Sequence, residues 1–323
     1  MSIAHHKSIL TIPDTATPPS PAPSTAVQTL LAQEKHFITP GRVVGAIAAI
    51  GILIYSGHRS ELSFGELIQG GGTMADYIRQ YFPPDFSDWR IYLADLLETL
   101  SMAVWGTVLA AIVAVPLALL AAENVAPAWV SALLQSGVRG WNRLTAGIAI
   151  PPLRSPAILE RWLAHLVIFT VRRFLDAMRA INEMVFALIF VVAVGLGPFA
   201  GVLALFIHTA GTLGKLFSEV VEAIDPGPVE GIRATGASPL QEVVFGVLPQ
   251  VMPLWISFTL YRFEANVRSA TVLGIVGAGG IGFSLYQSFR AFQYGQACAM
   301  LLILVSTVSI IDAVSARIRQ RLL

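Results

Sequence analysis

Long apolar stretches without a charged side chain recur along this chain. A helix needs about 20 mostly apolar residues to cross the roughly 30 Å hydrocarbon core of a bilayer. Five charge-free runs of 19 to 31 residues have that length, and a sixth run has only 16 residues: 99–122, 184–214, 243–261, 269–289, 291–311 and the short 43–58. The pattern therefore predicts an all-α, polytopic membrane protein.

The distribution of positive charge orients these helices, because Lys and Arg accumulate in short cytoplasmic loops. Residues 123–180 carry seven arginines, and three more follow near the end of the chain, in residues 317–321. Residues 59–98 hold three arginines against seven acidic residues, which is typical of the external side. We therefore expect both chain termini to be cytoplasmic and residues 59–98 to be periplasmic.

Two of the apolar runs do not predict single transmembrane helices. Residues 184–214 would form a helix about 46 Å long, so the Gly-Leu-Gly-Pro turn signal at 195–198 predicts a tight helical hairpin that borrows a few residues before Met184. Residues 269–289 contain five glycines, each costing about 1 kcal/mol of helix stability, and we expect an external or re-entrant segment there. About six transmembrane helices result.

Between the apolar runs, residues 156–180 combine large apolar side chains with the polar ones of Arg161, His165, Arg172, Arg173 and Asp176. The apolar face contains Trp162, Leu166, Phe169 and Leu175. A helix with one charged and one apolar face is typical of an interfacial or cytoplasmic amphipathic helix.

The same reading divides the chain into five parts. Residues 1–41 contain six prolines among serines and threonines, a composition that predicts a disordered cytoplasmic tail. An N-terminal transmembrane helix (42–58), the periplasmic segment (59–98) and a transmembrane domain (99–317) follow, and residues 318–323 form a cytoplasmic tail. The transmembrane domain contains one long cytoplasmic loop, residues 218–249.

Composition narrows the chemistry further. The chain is 55% hydrophobic and 13% charged with a formal net charge of +1, which argues against a soluble domain and against nucleic-acid binding. Cys298 is the single cysteine, so no disulfide and no cysteine metal site are expected. Residues 277–282 fit G-x-G-x-x-G, but no acidic residue follows until Asp312, where a dinucleotide site needs one about 20 positions on. We expect no catalytic residue, no metal and no cofactor in this chain.

The polar segment 218–249 has the capping chemistry of two short helices. Asp225-Pro-Gly-Pro228 stops the arriving helix, residues 229–235 form a short helix, and Gly236 ends it in a left-handed conformation. Ser238-Pro239-Leu240-Gln241 is a capping box with proline at the first helical position, and it opens a helix that runs to Leu248-Pro249. The sequence therefore predicts two angled helices that form a cytoplasmic docking module.

These residues also resemble a known family. Glu230-Gly-Ile-Arg-Ala-Thr-Gly236, nine residues and then Gly246-Val-Leu248-Pro249 resemble the E-A-A-x-x-x-G-x9-I-x-L-P loop of bacterial ABC importer permeases. Gly231 and Ile232 replace the two alanines, and Gly246 replaces the isoleucine. Phosphonate-transporter permeases are more similar still, from about residue 91 to 316, in the segments 222–228, 233–237, 261–271 and 274–282. Asn182-Glu183 stands where that family commonly has Pro-Glu, and residues 133–165 resemble an insertion.

The resemblance implies a type I importer fold like that of the methionine and molybdate permeases, in the bacterial inner membrane. It implies a homodimer of this chain, two cytoplasmic ATPase subunits that hold ATP and Mg²⁺, and an external substrate-binding protein. The sequence does not distinguish this homodimer from pairing with a paralogous permease. Coupling to the ATPase would fall to Glu230, Gly231, Ile232, Gly236, Leu248 and Pro249. The substrate would be a phosphonate or a related oxyanion such as phosphite or phosphate.

Three charged residues, Arg262, Glu264 and Arg268, follow the apolar run 243–261 and are candidates for the translocation path. Glu264 and Arg268 have the spacing of an intrahelical ion pair, which would make them a structural clamp. Alternatively, Arg268 lines the path and offers its fork of donors to the passing oxyanion.

Two other classes of protein stay open at this point. An ion-coupled secondary transporter of a small anion would use His208, Glu264 and Asp312 as carriers, because ionisable groups inside a membrane are candidates for function. A membrane enzyme is the remaining class, and the sequence offers neither a nucleophile nor metal ligands for it.

Overall fold

The computed structural model describes residues 40–60, 64–144 and 157–322, which are helical and contain no strand. The chain divides into two compact units, residues 1–73 and 74–323. The first unit contains α1 (Pro40–Arg59), α2 (Phe64–Gln69) and the start of α3 (Gly71–Arg79). The predicted disordered tail, 1–41, lies almost entirely outside the described residues.

The second unit holds the remaining helices and the whole of the predicted docking module. These helices are α4 (Trp89–Ala121), α5 (Ala126–Leu144), α6 (Ala157–Ala180), α7 (Glu183–Val194), α8 (Pro198–Glu222), α9 (Pro226–Ala234), α10 (Pro239–Ala278), α11 (Gly280–Arg290) and α12 (Tyr294–Leu322). Two π-helical segments, Glu242–Val247 and Gly274–Ala278, interrupt α10. The predicted insertion, 133–165, corresponds to the end of α5, the start of α6 and residues 145–156, which are outside the described residues.

Four of the described helices are long and apolar enough to cross a membrane: α4, α8, α10 and α12. A fifth span exists if α6 and α7, which meet at an angle of 85°, are counted as one broken span. The apolar part of α1, Val43–Arg59, is shorter than a full span. The expected number of about six is therefore reached only when both the bent pair and α1 are included.

The predicted hairpin in residues 184–214 has its turn where the sequence placed it. Gly195 (φ 94°) and Gly197 (φ 135°) adopt conformations that side chains rarely adopt, and Pro198 opens α8. The extension before Met184 is wrong, because the Asn182 side chain accepts a hydrogen bond from Met184 N at 2.9 Å and caps α7 there. With 12 residues, about 18 Å, α7 is too short to span a membrane.

Helix α6 forms as predicted, but a different face of it is buried. Trp162, Leu166 and Phe169 are exposed, while Leu175 is buried together with Ala164, Ile168 and Met178. Glycines on α8 select this face: a Cβ atom on Gly211 would lie 2.9 Å from Leu175 O, and one on Gly214 would lie 2.5 Å from Leu175 Cδ2. Small residues let two helices approach closely, and the periodicity of α6 alone does not contain this information.

The second helix of the docking module does not end at Pro249 but continues through α10 to Ala278. Pro249 falls in the first turn after the π-helical segment Glu242–Val247, where a missing backbone N–H is tolerated. At the far end, Gly277 (φ 98°) breaks the helix and α11 follows with 11 residues, about 16 Å. Residues 269–289 are thus not a complete span, as the sequence predicted.

The core of the second unit lies where α4, α8 and α10 meet, and one buried polar node joins all three. Asn266 Nδ2 donates to Thr107 Oγ1 at 2.8 Å, and Thr209 Oγ1 donates to Asn266 Oδ1 at 3.1 Å. Thr107 in turn donates to Ala103 O at 2.6 Å. Interhelical hydrogen bonds of this kind hold membrane helices in register.

We expect Asn266→Leu to destabilise the protein, because it leaves the buried hydroxyl of Thr209 without an acceptor. The cost should be about 1–2 kcal/mol, measured as a lower midpoint of thermal unfolding in detergent. The triple variant Asn266→Leu, Thr107→Val, Thr209→Val is the control, because it removes the whole node and should recover most of the loss. A single variant as stable as the wild type would contradict the role of the node.

Candidate coupling and translocation sites

The short helix of the docking module, α9, is defined by local capping. The Asp225 carboxylate accepts a hydrogen bond from Gly227 N at 2.9 Å, and Pro226 occupies the first turn. The helix therefore begins at Pro226 and not at Val229 as predicted, because α8 has already ended at Glu222 and Asp225 is free to act as a cap. Gly236 ends the helix at φ 82°, which confirms its predicted conformation.

Both ends of α9 are fixed to α10 by polar side chains. At the first end, the Gln250 side chain accepts from Asp225 N at 3.1 Å and donates to Asp225 O at 3.2 Å. At the other end, Arg233 donates to the Glu242 carboxylate at 2.8 and 3.2 Å. These hydrogen bonds and the charge of Glu242 raise the pKa of Arg233, whose guanidinium is charged at physiological pH in any case. α9 and the start of α10 therefore form one rigid module.

The capping box that opens α10 is also present, with Gln241 Oε1 accepting from Ser238 N at 2.8 Å. Within the module, Gly246 approaches α9 closely. A Cβ atom on Gly246 would lie 3.1 Å from Val229 Cγ2 and 3.3 Å from Ile232 Cδ1. The two departures from the importer loop at Ile232 and Gly246 therefore face each other: a larger side chain replaces alanine on α9, and glycine replaces isoleucine on α10. This is an exchange of volume across one contact, the kind of swap that cores tolerate.

We expect the exchange to behave as a coupled pair. Gly246→Ile should destabilise the module by about 1–3 kcal/mol through overpacking. Ile232→Ala should cost less than the roughly 2–5 kcal/mol of a fully buried site, because Ile232 is only half-buried. The double variant should be closer to the wild type than the sum of the two single variants, measured by thermal unfolding of the protein. Additive effects would show that the two side chains do not share one space. Gly231→Ala is the control, because a Cβ atom there meets nothing within 4 Å.

The predicted coupling residues occupy two surfaces of the module. Glu230, Gly231, Gly236 and Pro249 are exposed, whereas Leu248 packs against the core. A groove of about 410 Å³ borders Gly236 and is lined by Ile232, Thr235, Gly236, Ala237, Gln241 and Phe245. Phe245 and Leu240 beside it are more than half exposed. The loop motif does not include these two residues, although large apolar side chains in a capped polar loop are a signal for a partner surface.

Next to α9, a cluster that we call the Arg172 clasp ties the ends of α4 and α8 to a side chain from the interior of α6. Arg172 on α6 donates to Ala121 O and to Glu123 Oε1, both at 3.0 Å, and pairs with the Glu222 carboxylate. The same carboxylate accepts from Glu123 N at 2.9 Å, and Asn124 Nδ2 donates to Val221 O at 2.6 Å. The ends of α4 and α8 are therefore locked together three residues before the cap of α9.

The predicted ion pair between Glu264 and Arg268 does not form. Glu264 is buried and pairs with Arg319, and Arg268 Nη1 lies 3.3 Å from Asp312 Oδ1. Helix α12 runs beside α10 and offers each residue an opposite charge, so both pairs join two helices instead of two turns of one helix. Glu264 therefore has the environment of a structural clamp. Arg262 is largely buried, and its Nε atom has no hydrogen-bond partner among the described residues.

Helices α7, α8 and α10 bring a second polar cluster together, centred on Glu183. Ser269 Oγ donates to Glu183 Oε1 at 2.7 Å, and His208 Nε2 lies 3.6 Å from Glu183 Oε2. His208 Nδ1 lies 2.9 Å from Ile181 O. No carboxylate lies within a helical turn of His208 in the sequence, because Glu183 is on the preceding helix. The three carriers expected of a secondary transporter, His208, Glu264 and Asp312, thus lie in three separate pairs.

Beside this cluster lies a cleft of about 250 Å³. Its lining residues come from α7, from the residue that caps it and from the last part of α10: Asn182, Glu183, Met184, Arg268, Ser269, Val272 and Leu273. Of the three predicted path residues, Arg268 alone lines this cleft, and its side chain is 50% exposed. The cleft therefore combines a guanidinium group, an amide, a hydroxyl and the Glu183 carboxylate in one place.

Comparison with known proteins now identifies the class. Residues 162–323 match the family model described as binding-protein-dependent transport system inner membrane component. The chain is 35% identical over 303 residues to the phosphite transport system permease protein of Stutzerimonas stutzeri, covering 91% of this chain and 97% of that protein. The chain therefore belongs to the family of inner membrane components of binding-protein-dependent transport systems.

Two further relatives support this assignment. A cryptic phosphonate transport system permease protein of Escherichia coli K12 is 64% identical over 118 residues, which cover 36% of this chain and 97% of that protein. Among solved structures, an inward-facing form of the MetNI methionine ABC transporter has a TM-score of 0.53 at 20% identity and covers 73% of this chain and 99% of that chain. This likeness confirms the all-helical fold expected from the resemblance to methionine permeases.

Proposed function

We propose that this chain is the permease of an ATP-driven importer for phosphonate, phosphite or a related phosphorus oxyanion. The observation that carries the proposal is the rigid module of α9 and α10, which presents Glu230 and the groove beside Gly236 to a partner. A module fixed at both ends can transmit a displacement of its partner directly to α10, which is long enough to cross the membrane. The relatives named for phosphite and phosphonate transport support the substrate class.

The proposed assembly contains two permease chains, either two copies of this one or one copy with a paralogue. Two ATPase subunits, which hold ATP and Mg²⁺, would dock on α9 and the groove from the cytoplasm. An external binding protein would deliver the oxyanion. Most of the substrate selectivity would come from that protein. This chain would supply the translocation path and, through α9 and α10, the coupling to the ATPase. The chain itself is not proposed to be an enzyme.

The proposed orientation places the docking module, the N-terminus and the C-terminus in the cytoplasm. Two observations on the second unit support it. The arginine-rich segment 123–180 contains Arg172, which contacts the ends of α4 and α8 beside α9. Arg317, Arg319 and Arg321 end α12. The docking module therefore lies beside Arg172 of the arginine-rich segment, and α12 ends in positive charge, as the positive-inside rule expects of cytoplasmic segments.

The test is uptake of radiolabelled phosphite and methylphosphonate into proteoliposomes that contain this chain, its ATPase and its binding protein. We expect uptake to require ATP on the ATPase side and the binding protein on the other side. Uptake should continue when an ionophore collapses the proton and sodium gradients. Uptake that needs an ion gradient and no ATP would overturn the proposal and favour the secondary transporter.

A further inference from the structure

We infer that the cleft between α7 and α10 is a transient binding site for the oxyanion. The passing oxyanion displaces the Asp312 carboxylate and binds Arg268 in its place. This inference rests on the proposed function and specifies where the substrate contacts the chain. The Arg268 Nη1 atom lies 3.3 and 3.4 Å from the two Asp312 oxygens, longer than the roughly 2.7–2.9 Å of a strong charged hydrogen bond. The pair is therefore loose and open to exchange.

The cleft also holds spare donors of the kind that an oxyanion needs. Within the described part of the chain, the Nε and Nη2 atoms of Arg268 make no hydrogen bond, so two of the positions in its fork are available. Asn182 uses its carbonyl oxygen to cap α7, which leaves its amide N–H groups to donate. A phosphonate or phosphite offers several acceptor oxygens around one phosphorus atom, and a guanidinium fork matches that geometry.

The carboxylates near the cleft decide how tightly an anion is held. Glu183 accepts a hydrogen bond from Ser269, and His208 Nε2 lies 3.6 Å from its other carboxylate oxygen, so both oxygens of Glu183 already have neighbours within the chain. Asp312 is the direct competitor, because it contacts Arg268. An oxyanion that displaces Asp312 binds weakly, since the carboxylate can return and eject it. Conduction requires binding that is favourable enough to enter and weak enough to leave.

The exposure of the Arg268 and Asp312 side chains is consistent with a translocation path and not with a surface that faces lipid. The side chains of Arg268 and Asp312 are 50% and 44% exposed in the single chain, although both lie on membrane-spanning helices. A charged group facing hydrocarbon is costly, so such groups face water or protein. In an assembled permease, this surface therefore borders the path or the partner permease.

The test uses the full complex in proteoliposomes and three variants: Arg268→Ala, Asp312→Asn and the double variant Arg268→Ala, Asp312→Ala. We expect Arg268→Ala to lower phosphite uptake by about tenfold or more, the size of a lost charged hydrogen-bond partner, while binding-protein-stimulated ATPase activity persists. Asp312→Asn should slow release, so that phosphite inside the vesicles inhibits uptake at lower concentration than in the wild type. The double variant should transport no better than Arg268→Ala.

A purely structural role of the Arg268–Asp312 pair predicts a different result. If the pair is only a clamp, each single variant is impaired through an unpaired charge, and the double variant recovers near wild-type uptake. That recovery, or normal uptake by Arg268→Ala, overturns the inference. The control is Arg317→Ala, which removes an exposed arginine from α12, the helix that carries Asp312. The complex with this variant should transport normally. Failure of the proposed function differs from both, because the wild-type complex itself would then show no ATP-dependent uptake.

Discussion

Replacing Gly236 with valine is expected to abolish the stimulation of ATP hydrolysis by loaded binding protein. Gly236 has φ 82° and links α9 to the capping box of α10. A β-branched residue in that conformation is strained by about 1–3 kcal/mol. We expect the backbone of the turn to relax, and this relaxation displaces α9. The measurement is ATPase activity of the reconstituted complex with and without loaded binding protein, and we expect stimulation to fall at least about tenfold.

Two variants separate this effect from general damage. Gly236→Asn should retain most of the stimulation, because asparagine tolerates the left-handed conformation. Glu230→Ala should also lose stimulation but keep the thermal stability of the chain, since the Glu230 side chain is exposed and makes no hydrogen bond within the described residues. Full coupling in both Gly236→Val and Glu230→Ala would contradict the assignment of α9 as the coupling helix.

Loss of the Arg172 clasp should have the second large effect. Arg172→Ala removes a side chain that is 23% exposed and leaves the Glu222 carboxylate without its cationic partner. It also frees the carbonyl of Ala121 at the end of α4. We expect a cost of about 1–3 kcal/mol in stability and a larger loss of transport, because α9 would no longer move together with α4 and α8.

The chain provides a matched control at the next position. Arg173 is 63% exposed and pairs with Asp176 at 3.3 Å, so Arg173→Ala removes the same charge from the same helix without opening the clasp. Adding Glu222→Gln to Arg172→Ala should recover part of the stability, because the unpaired carboxylate is removed. Recovery of stability without recovery of coupled transport would identify the clasp as a mechanical link. Equal loss in Arg172→Ala and Arg173→Ala would contradict its specific role.

The sequence by itself determined the features that depend on neighbouring residues. Charge-free runs indicated the membrane helices, since span length depends on composition. The turn at 195–198, the capping box at Ser238 and the left-handed end of α9 at Gly236 were predicted correctly, because each depends on backbone preferences within a few residues. The first residue of α9 differs from the prediction, because Asp225 caps this helix and does not merely follow the preceding one.

Tertiary structure decided the features that depend on which helices meet. Glu264 and Arg268 have suitable spacing for each other, yet both pair with α12, because an interhelical partner also satisfies a charge that would otherwise lie in an apolar bundle. The buried face of α6 followed from glycines on α8, and Glu183 reached His208 only through the packing of α7 on α8. The exchange of volume between Ile232 and Gly246 is visible in the sequence as two separate departures. Only the contact between α9 and α10 makes them one feature, because side-chain volume is constrained by what lies opposite it in space and not by what is adjacent in the chain.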